Sequence, residues 1–397
     1  MEGSALEGLR VVEFAHVIAG PLAGTLLADL GADVVHVEPP GTGDAAREMG
    51  PTKEGVYLWW KVAARNKRSV RLDLHQPQGR AVAKRLAAWA DVVITNLRVS
   101  TLEEWGLDWP SLKQVNDHLI YLQITGFGAT GPLRSAPGFG KVGEARSGVV
   151  HLTGFPDGPP VHTGFSHGDT VTATMAAFGV MAALYRRERD SDFSGEWIDL
   201  ALFESLFRLI EWQVVVYDQL GTVPSRTGNR LAVAPGAVVN TYLSCEGEWI
   251  TVTSATKRSV LNVVQLLGLP EGEFDTVEKQ LEGADELDAR LREWISARTT
   301  EDCLAAMAAR EVVASRIFTV ADILADPVYA EREDVISVND PQLGPLRMPG
   351  IVPKLHQHPG AVWRTGPELG ADNELVYCDW LGLSGAEYTE LQAAGVI

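Results

Sequence analysis

The sequence predicts an α/β protein, with a large domain built on a Rossmann-like open parallel sheet and a smaller α+β domain. Three observations support this prediction. Strand and helix patterns alternate from residue 10 to residue 124, the composition is globular with 46% apolar and 22% charged residues, and the pattern changes near residue 223. We therefore predict a large domain formed by residues 1–222 and 325–397, and a small domain formed by residues 223–324.

The first predicted unit is a strand, a helix and a second strand. The strands are expected at Arg10–Phe14 and Asp33–Val37, and the helix at Leu22–Leu30. Pro21 stands at the start of this helix and Gly31 just past its end, which is the usual placement of these two residue types. The loop before the helix lacks the Gly-x-Gly-x-x-Gly pattern, so we do not expect NAD or FAD.

The same alternation continues along the large domain. The predicted elements are a strand at Ser69–Leu72, a helix at Gln78–Trp89, a strand at Asp91–Thr95, helical turns over 101–115 and a strand at Leu119–Ile124. Parallel sheets of this kind bind ligands at the carboxyl ends of their strands. A long amphipathic helix is predicted from Leu200 to about Leu220, because its charged residues share one side.

The small domain shows a different pattern. Two strands, Tyr242–Ser244 and Trp249–Thr253, are predicted to pair around Glu246-Gly247. Helices are expected at Val260–Leu267, Leu287–Ala297 and Thr300–Ala309, and after the return to the large domain at Gly385–Ala394.

Charge and cysteine usage exclude several classes of function. The chain has 34 Lys and Arg against 52 Asp and Glu, a net charge of −18, which disfavours binding to nucleic acid and to anionic membranes. No signal peptide or membrane span is predicted. Cys245, Cys303 and Cys378 are scattered and lack CxxC spacing, so we expect a reducing, cytoplasmic location without disulfides.

Asp169 is the most informative candidate for chemistry. It ends the polar segment Gly164–Asp169, which leads into an apolar helix predicted over 170–184. An aspartate in this position can cap the helix or act as a nucleophile. His167 is either a proton shuttle or an ordinary loop residue. The pair His356 and His358 lacks a third ligand nearby, so no metal is expected.

Five cations lie close together in an otherwise acidic chain, at Lys61, Arg65, Lys67, Arg68 and Arg71. Such a cluster can bind phosphate groups through charge-assisted hydrogen bonds. It can equally be a solvated cationic loop.

Short blocks in a fixed order cover nearly the whole chain. They are Leu6–Glu13, Ala19–Pro21, Leu27–Val34, Val37–Asp44 with Arg47, Asn66–Ser69, Leu72–Leu74, Ala90–Val92 with Asn96, Gly106-Leu107, Thr125–Gly128, Gly131-Pro132, Gly164–Asp169, Ala182–Leu184, Arg226–Asn229, Ala234-Pro235 and Ala394–Ile397. This ordered set resembles the class III CoA-transferases. That family includes formyl-CoA:oxalate and carnitine CoA-transferases and the α-methylacyl-CoA racemases.

The resemblance implies an enzyme with Asp169 as nucleophile. The carboxylate is expected to attack an acyl-CoA thioester, to form a mixed anhydride and then to carry CoA as an aspartyl thioester. The implied partners are an acyl-CoA and a carboxylic acid, with coenzyme A present as part of the substrate and no metal or redox cofactor. The resemblance also implies a homodimer in which the two chains interlock.

The resemblance further implies a path for CoA. The residues expected along this path are Val17, Ile18, Ala19, Arg71, Leu72, His75, Asn96, Leu97, Arg98, Phe139 and Lys141. The basic cluster is expected to bind its phosphates.

Departures from the family pattern narrow the reaction. The racemases have a His before the Asp of a Gly-His-Asp motif, whereas this chain has Gly138-Phe139-Gly140, which favours transfer over racemisation. The oxalate-using enzymes have Gln, Tyr and Gln where Ile18, Phe139 and Glu144 stand, so an acid larger and more apolar than oxalate is expected.

Two alternatives to a CoA-transferase stay open. One is an isomerase acting on 2-methylacyl-CoA, and the other is a non-catalytic subunit that binds CoA or a partner chain and in which Asp169 only caps its helix.

Overall fold

The computed structural model describes residues 3–397, except for the side chain of Glu271. These residues form two compact units. The larger contains the chain up to Val149, Thr163–Val214 and Val328–Ile397, and the smaller contains Val150–His162 and Val215–Pro327. The division differs from the predicted one because 150–162, 215–222 and 325–327 belong to the smaller unit. Hydrogen bonds from the Arg226 guanidinium to the carbonyls of His151, Phe155 and Gly158 fix the first of these segments there.

A six-stranded sheet organises the larger unit. The first eight strands of the chain lie in the larger unit. They are β1 (Arg10–Phe14), β2 (Asp33–Glu38), β3 (Thr52–Lys53), β4 (Val56–Tyr57), β5 (Lys67–Arg71), β6 (Val92–Thr95), β7 (Ile120–Thr125) and β8 (Glu196–Ala201). The sheet has the order β5-β2-β1-β6-β7-β8, and all of its pairs are parallel. The predicted open parallel sheet is confirmed. The strand order reverses direction between β1 and β6, which is where such sheets bind ligands.

Seventeen α-helices are found among the described residues. They are α1 (Ala19–Asp29), α2 (Leu58–Ala63), α3 (Pro77–Trp89), α4 (Val99–Trp105), α5 (Trp109–Lys113), α6 (Gly140–Arg146), α7 (Val149–Leu152), α8 (His167–Arg187), α9 (Leu202–Phe207), α10 (Glu211–Leu220), α11 (Lys257–Leu266), α12 (Val277–Glu282), α13 (Ala284–Ser296), α14 (Thr300–Ala309), α15 (Val320–Ala325), α16 (Pro327–Glu331) and α17 (Gly385–Ala393). Within the described part of the chain, none is long and apolar enough to cross a membrane.

Helices cover both faces of the sheet because successive side chains of each strand point to opposite sides. On one face, Val12 and Val35 pack in a core that includes Val82 and Leu86 of α3. On the other face, the core contains residues of α1 and α8, among them Leu27 and Ala176. Strands buried on both faces are expected to be mostly apolar, and β6 is, whereas β1, β2 and β5 also bury charged residues, among them Glu13 and Lys67.

The smaller unit is built on a three-stranded antiparallel sheet. Its strands are β9 (Val238–Leu243), β10 (Trp249–Ser254) and β11 (Ala314–Arg316), in the order β11-β10-β9. The predicted hairpin around Glu246-Gly247 is present, with Trp249 opposite Leu243. Helices α11, α13 and α14 supply the rest of its core. A further hairpin, β12 (Val335–Asp340) and β13 (Gly344–Pro349), belongs to the larger unit.

The helix predicted from Leu200 to about Leu220 is largely confirmed, since the chain is helical from Leu202 to Leu220, but its predicted start is wrong by two residues. Leu200 lies in β8, paired with Ile124 of β7. Helix α9 follows at once and continues into α10 through one 3-10 helical turn at Arg208–Ile210. The change from strand to helix needs neither Gly nor Pro, because the Glu204 carboxylate accepts the Ala201 N–H at 2.8 Å and so fixes the start of the helix.

The basic cluster predicted to bind phosphate is mostly buried, so this prediction is wrong for most of its members. Lys67, only 1% exposed, donates to both carboxylate oxygens of Glu13 at 2.9 Å. Arg65 pairs with Asp29 at 2.5 Å. The other engaged members are Lys61, paired with Asp340, and Arg68, paired with Asp33. These cations neutralise buried acids of the protein itself, and removing one would leave its partner uncompensated.

Candidate active site

A cavity of about 610 Å³ lies within the larger unit, in the size range of small-molecule sites. Its walls come from the segments that follow β1, β6 and β7 and from the starts of α6 and α8. These are the carboxyl ends of the central strands, on both sides of the point where the strand order reverses. The cavity is lined by His16, Val17, Ile18, Ala19, Met49, Asn96, Leu97, Arg98, Val99, Ile124, Thr125, Gly126, Arg134, Ser135, Ala136, Pro137, Gly138, Phe139, Gly140, Lys141, Asp169 and Leu202.

The fold brings most of the sequence-predicted site residues to this cavity. Those that line it are Val17, Ile18, Ala19, Asn96, Leu97, Arg98, Phe139, Lys141 and Asp169. Arg71, Leu72 and His75 do not. Leu72 is 1% exposed and belongs to the core, while the His75 ring packs against Trp105 with 5.1 Å between centroids. All three lie at or after the end of β5, which β2 separates from β1, so they are displaced from the central strands.

The segments after β1 and β6 are locked together by one side chain. Asn96 accepts the His16 N–H at 2.9 Å and donates to the His16 carbonyl at 2.7 Å. The next residue, Val17, has a left-handed backbone with φ of 68°. This conformation is unfavourable for a β-branched residue, so its surroundings must hold it.

The segment that carries Phe139 depends on two glycines in close contact. A Cβ on Gly126 would lie 2.6 Å from the Cα of Gly138, so neither position has room for a side chain. This contact joins the end of β7 to the start of α6. Phe139 immediately precedes α6, and its ring lines the cavity while remaining 75% exposed.

Asp169 lies in the first turn of α8 and does not occupy the cap position considered from the sequence. The helix begins two residues earlier, at His167, with Ser166 before it. The Asp169 carboxylate packs directly against Gly140, where a Cβ would overlap the Oδ2 atom. The polar Gly164–Asp169 segment therefore contributes its last residues to the helix itself, and the carboxylate faces the cavity.

A second carboxylate lies beside Asp169. Glu144 is buried in α6, and its Oε1 accepts the Gly168 N–H at 3.0 Å. Lys141 pairs with Glu144 at 3.0 Å and also donates to the carbonyls of Thr163 and Phe165. The Lys141 ammonium, which the sequence analysis expected to contact CoA, thus joins α6 to the segment before α8.

This environment sets the ionisation of Asp169. Burial, and then the negative charge of Glu144, raise the pKa of Asp169 to about 6, while Lys141 acts in the opposite direction. Asp169 is therefore mostly ionised at neutral pH yet poorly solvated. A carboxylate in this state is a better nucleophile than one in bulk water.

Several residues of the cavity wall were missed by sequence reasoning, and three of them carry polar or polarisable side chains. His16 and Met49 line it, as does Arg134, which forms an ion pair with Glu103. His16 had a usable signal, since it directly follows a buried strand at the end where ligands bind. The exposed Arg98 forms no ion pair with any other described residue.

The histidines singled out from sequence lie elsewhere. His167 does not line the cavity, and its ring packs against Phe165 with 5.5 Å between centroids. His358 contacts the carbonyl of Gly3 at 3.0 Å. Within residues 3–397, no three His, Cys, Asp or Glu side chains are grouped as metal ligands.

Comparison with known proteins gives a consistent family. The sequence model of CoA-transferase family III matches residues 6–373. Succinyl-CoA–D-citramalate CoA-transferase of Chloroflexus aurantiacus is 41% identical, with 99% of this chain and 98% of the relative covered. The succinyl-CoA–L-malate CoA-transferase beta subunit of the same organism is 36% identical over the same shares. A CaiB/BaiF family crystal structure from Brucella suis has a TM-score of 0.82 and 32% identity, covering 95% of this chain and 99% of that one.

Proposed function

The chain belongs to CoA-transferase family III, and we propose that it transfers CoA from a succinyl-CoA-type donor to a dicarboxylic acid through covalent catalysis at Asp169. The observation that carries this proposal is the position of Asp169. Its carboxylate has a raised pKa and faces a cavity at the carboxyl ends of the central strands. We place the enzyme in the cytoplasm, where its three free cysteines remain reduced.

The proposed reaction has two symmetrical halves. An Asp169 oxygen attacks the thioester carbonyl, the C–S bond breaks, and the CoA thiolate leaves an acyl-aspartyl anhydride. The thiolate then attacks the Asp169 carbonyl carbon, which releases the donor acid and leaves CoA on Asp169. The acceptor carboxylate displaces this thiolate to give a second anhydride, and the thiolate attacks the acceptor's acyl carbon. Product is formed and Asp169 is regenerated, so the proposed steps use no metal or redox cofactor.

The surrounding residues support these steps. The first turn of α8 gives Asp169 a favourable dipole that stabilises its ionised form. Phe139 is proposed to cover the thioester and the anhydrides, because an anhydride exposed to water would hydrolyse. Ile18 and Leu97 offer apolar surface to the pantetheine arm.

The acceptor is proposed to be a four- or five-carbon dicarboxylic acid. The two relatives named above act on D-citramalate and L-malate, which are both dicarboxylic acids. The cavity wall carries Arg98 and Arg134, and either cation could receive the carboxylate that does not react. The proposal keeps the larger size expected from Ile18 and Phe139. It differs from the sequence-based expectation in polarity, because the part of the acid that does not react carries a second carboxylate and is not apolar.

A panel of acceptors tests this function. We expect succinyl-CoA with citramalate, malate or glutarate to give the new CoA ester, detected by chromatography. Butyrate is the matched control, because it equals succinate in length but lacks the second carboxylate. The absence of transfer to every acid would contradict the function. Equal rates with butyrate and with dicarboxylates would contradict only the substrate class.

We expect activity to depend on pH through Asp169. Only the ionised carboxylate attacks, so kcat/KM should rise as pH increases through about 6 and level off above it. Glu144→Gln keeps an acceptor for the Gly168 N–H but removes the charge that raises this pKa. The acid limb of the variant should therefore move to lower pH. A profile that is flat from pH 5 to 8, or a shift to higher pH in the variant, would contradict the assignment.

The isomerase gains no support from the site. Phe139, which carries no ionisable side chain, stands where the racemases place a proton-transfer histidine. The relatives reported above are CoA-transferases.

We also propose that the enzyme assembles as an interlocked homodimer. In the larger unit, Phe178 and Tyr185 of α8 are mostly exposed, and in the smaller unit so are Tyr217 and Leu220 of α10. Large apolar side chains on helix surfaces are typical of protein interfaces.

We expect sedimentation at nanomolar concentration to show a dimer, because an interlocked pair should not dissociate on dilution. A folded, active monomer would contradict the assembly. One relative is named as a beta subunit, so dimerisation only with a second type of chain is another contradicting outcome.

A further inference from the structure

A cluster of buried carboxylates lies behind the cavity wall. Glu13, Glu38 and Asp44 are each 1% exposed or less. Glu13 pairs with Lys67, and Glu38 pairs with Arg47 at 2.6 Å. Among the described residues, no lysine or arginine pairs with Asp44. Three buried negative charges thus face two permanent cations, and a third positive charge is required to balance them.

His36 is placed to supply that charge. It is buried between two carboxylates, with Nδ1 at 2.7 Å from Glu13 Oε2 and Nε2 at 3.2 Å from Asp44 Oδ2. A neutral imidazole carries a single N–H, so one of its nitrogens would direct a lone pair at a carboxylate oxygen. With both nitrogens protonated, Nδ1 donates a hydrogen bond to Glu13, Nε2 forms an ion pair with Asp44 outside hydrogen-bond geometry, and three cations balance three anions.

Asp44 connects this cluster to the cavity. Its two oxygens both lie 3.0 Å from the Val17 N–H, and Oδ1 also accepts the Ala46 N–H. Val17 is the cavity residue with the left-handed backbone. An ionised Asp44 is thus an acceptor in every contact, and it holds the N–H of a residue whose conformation needs support.

We propose that His36 is a buried imidazolium that acts as a positioning residue, holding Asp44 ionised so that Asp44 fixes the Val17 turn of the acyl-CoA cavity. The role of the turn in binding CoA rests on the proposed function. The protonation state of His36 and its coupling to Asp44 do not.

The electrostatics agree with this geometry. Burial alone would lower the pKa of His36, but Asp44 and Glu13 raise it to about 9. The charged and titratable groups around the pair are Glu13 on β1, Glu38 on β2, Lys67 on β5, Arg47, and His16, whose Nδ1 lies 3.9 Å from Asp44. Because the folded pKa lies above the ordinary value of 6.5, this contact stabilises the fold below pH 6.5, and the stabilisation is lost as pH rises through about 9.

Nitrogen NMR of the protein labelled with ¹⁵N-histidine tests the protonation state directly. We expect one histidine to show two ring N–H groups at pH 7.5 and to lose one only near pH 9. Its signals should disappear in His36→Gln and shift in Asp44→Asn. If His36→Gln does not fold, the shift in Asp44→Asn still assigns the signal. A His36 ring with one N–H at pH 7.5 would overturn the proposal.

Coenzyme A affinity tests the coupling, measured by calorimetry on the folded variants. His36→Gln and Asp44→Asn should each raise the Kd for CoA about tenfold, and the double variant should equal either single one, since both act on the same turn. Asp29→Asn is the matched control, because it weakens the buried pair with Arg65 at the other end of α1 and should leave the Kd unchanged. Additive effects, or a wild-type Kd in His36→Gln, would overturn the proposal. Wild-type protein that shows the imidazolium but does not bind CoA would instead contradict the proposed function.

Discussion

Asp169→Ala should abolish CoA transfer, with a loss of at least about 10⁴-fold in kcat, because the covalent steps have no other nucleophile. CoA binding should persist at wild-type affinity, since its contacts are expected along the β1 and β6 segments of the cavity. Chromatography of the CoA esters measures the first effect, and calorimetry measures the second. Turnover near the wild-type rate would show that Asp169 is not the nucleophile.

The stability of this variant provides an independent check. Because the pKa of Asp169 is raised to about 6 in the folded state, its ionised carboxylate destabilises the fold at higher pH. Asp169→Ala should therefore unfold at the wild-type temperature or above it at pH 8. Asp190→Ala is the matched control, since Asp190 is a carboxylate beyond the other end of α8 that pairs with Arg186 at the surface. It should retain full activity.

Gly140→Ala should have the second largest effect. The added Cβ would occupy the space of the Asp169 Oδ2 atom, so the carboxylate must rotate or move. A displacement of about 1 Å at a reacting group costs on the order of 10²-fold in rate. We expect kcat to fall by about that factor while CoA still binds.

Gly164→Ala is the control for that substitution. Gly164 lies five residues before Asp169, and a Cβ there would meet no atom within 4 Å. Its activity should equal that of the wild type. Comparable losses in both variants would show that this region tolerates no added methyl group, and that the contact between Gly140 and Asp169 has no special role.

The sequence contained enough information to predict the sheet. Alternating strand and helix patterns identified β1, β2, β5, β6 and β7, because β-branched residues cluster in most of these strands and turns or helix starts mark where they end. Strand β8 was missed because it runs into α9 without a glycine or proline. The helix predicted from the spacing of Glu204, Arg208 and Glu211 therefore began two residues too early, within the end of the strand.

The candidate site was predictable where it depended on strand ends. Val17, Asn96 and Asp169 follow buried strands or begin a helix, and the fold brings them together. Phosphate binding by the basic cluster was predicted incorrectly, because the charge of a residue does not show whether it is buried. Lys67 was expected to face phosphate, and it instead neutralises Glu13, an acid more than fifty residues away in the sequence. Such pairings depend on strand register, which a single sequence does not contain.

The most direct test of covalent catalysis at Asp169 follows oxygen atoms. In the proposed steps the acceptor's attacking oxygen becomes the bridge of the second anhydride, and it remains on Asp169 when the thiolate removes the acyl group. Turnover of succinyl-CoA with a dicarboxylic acid labelled with ¹⁸O in its carboxylates should therefore place heavy oxygen in the peptide that contains Asp169, detected by mass spectrometry after digestion. We expect label in that peptide after turnover. In the control without acyl-CoA, the peptide should carry no label. Many turnovers without label in the Asp169 peptide would contradict the account.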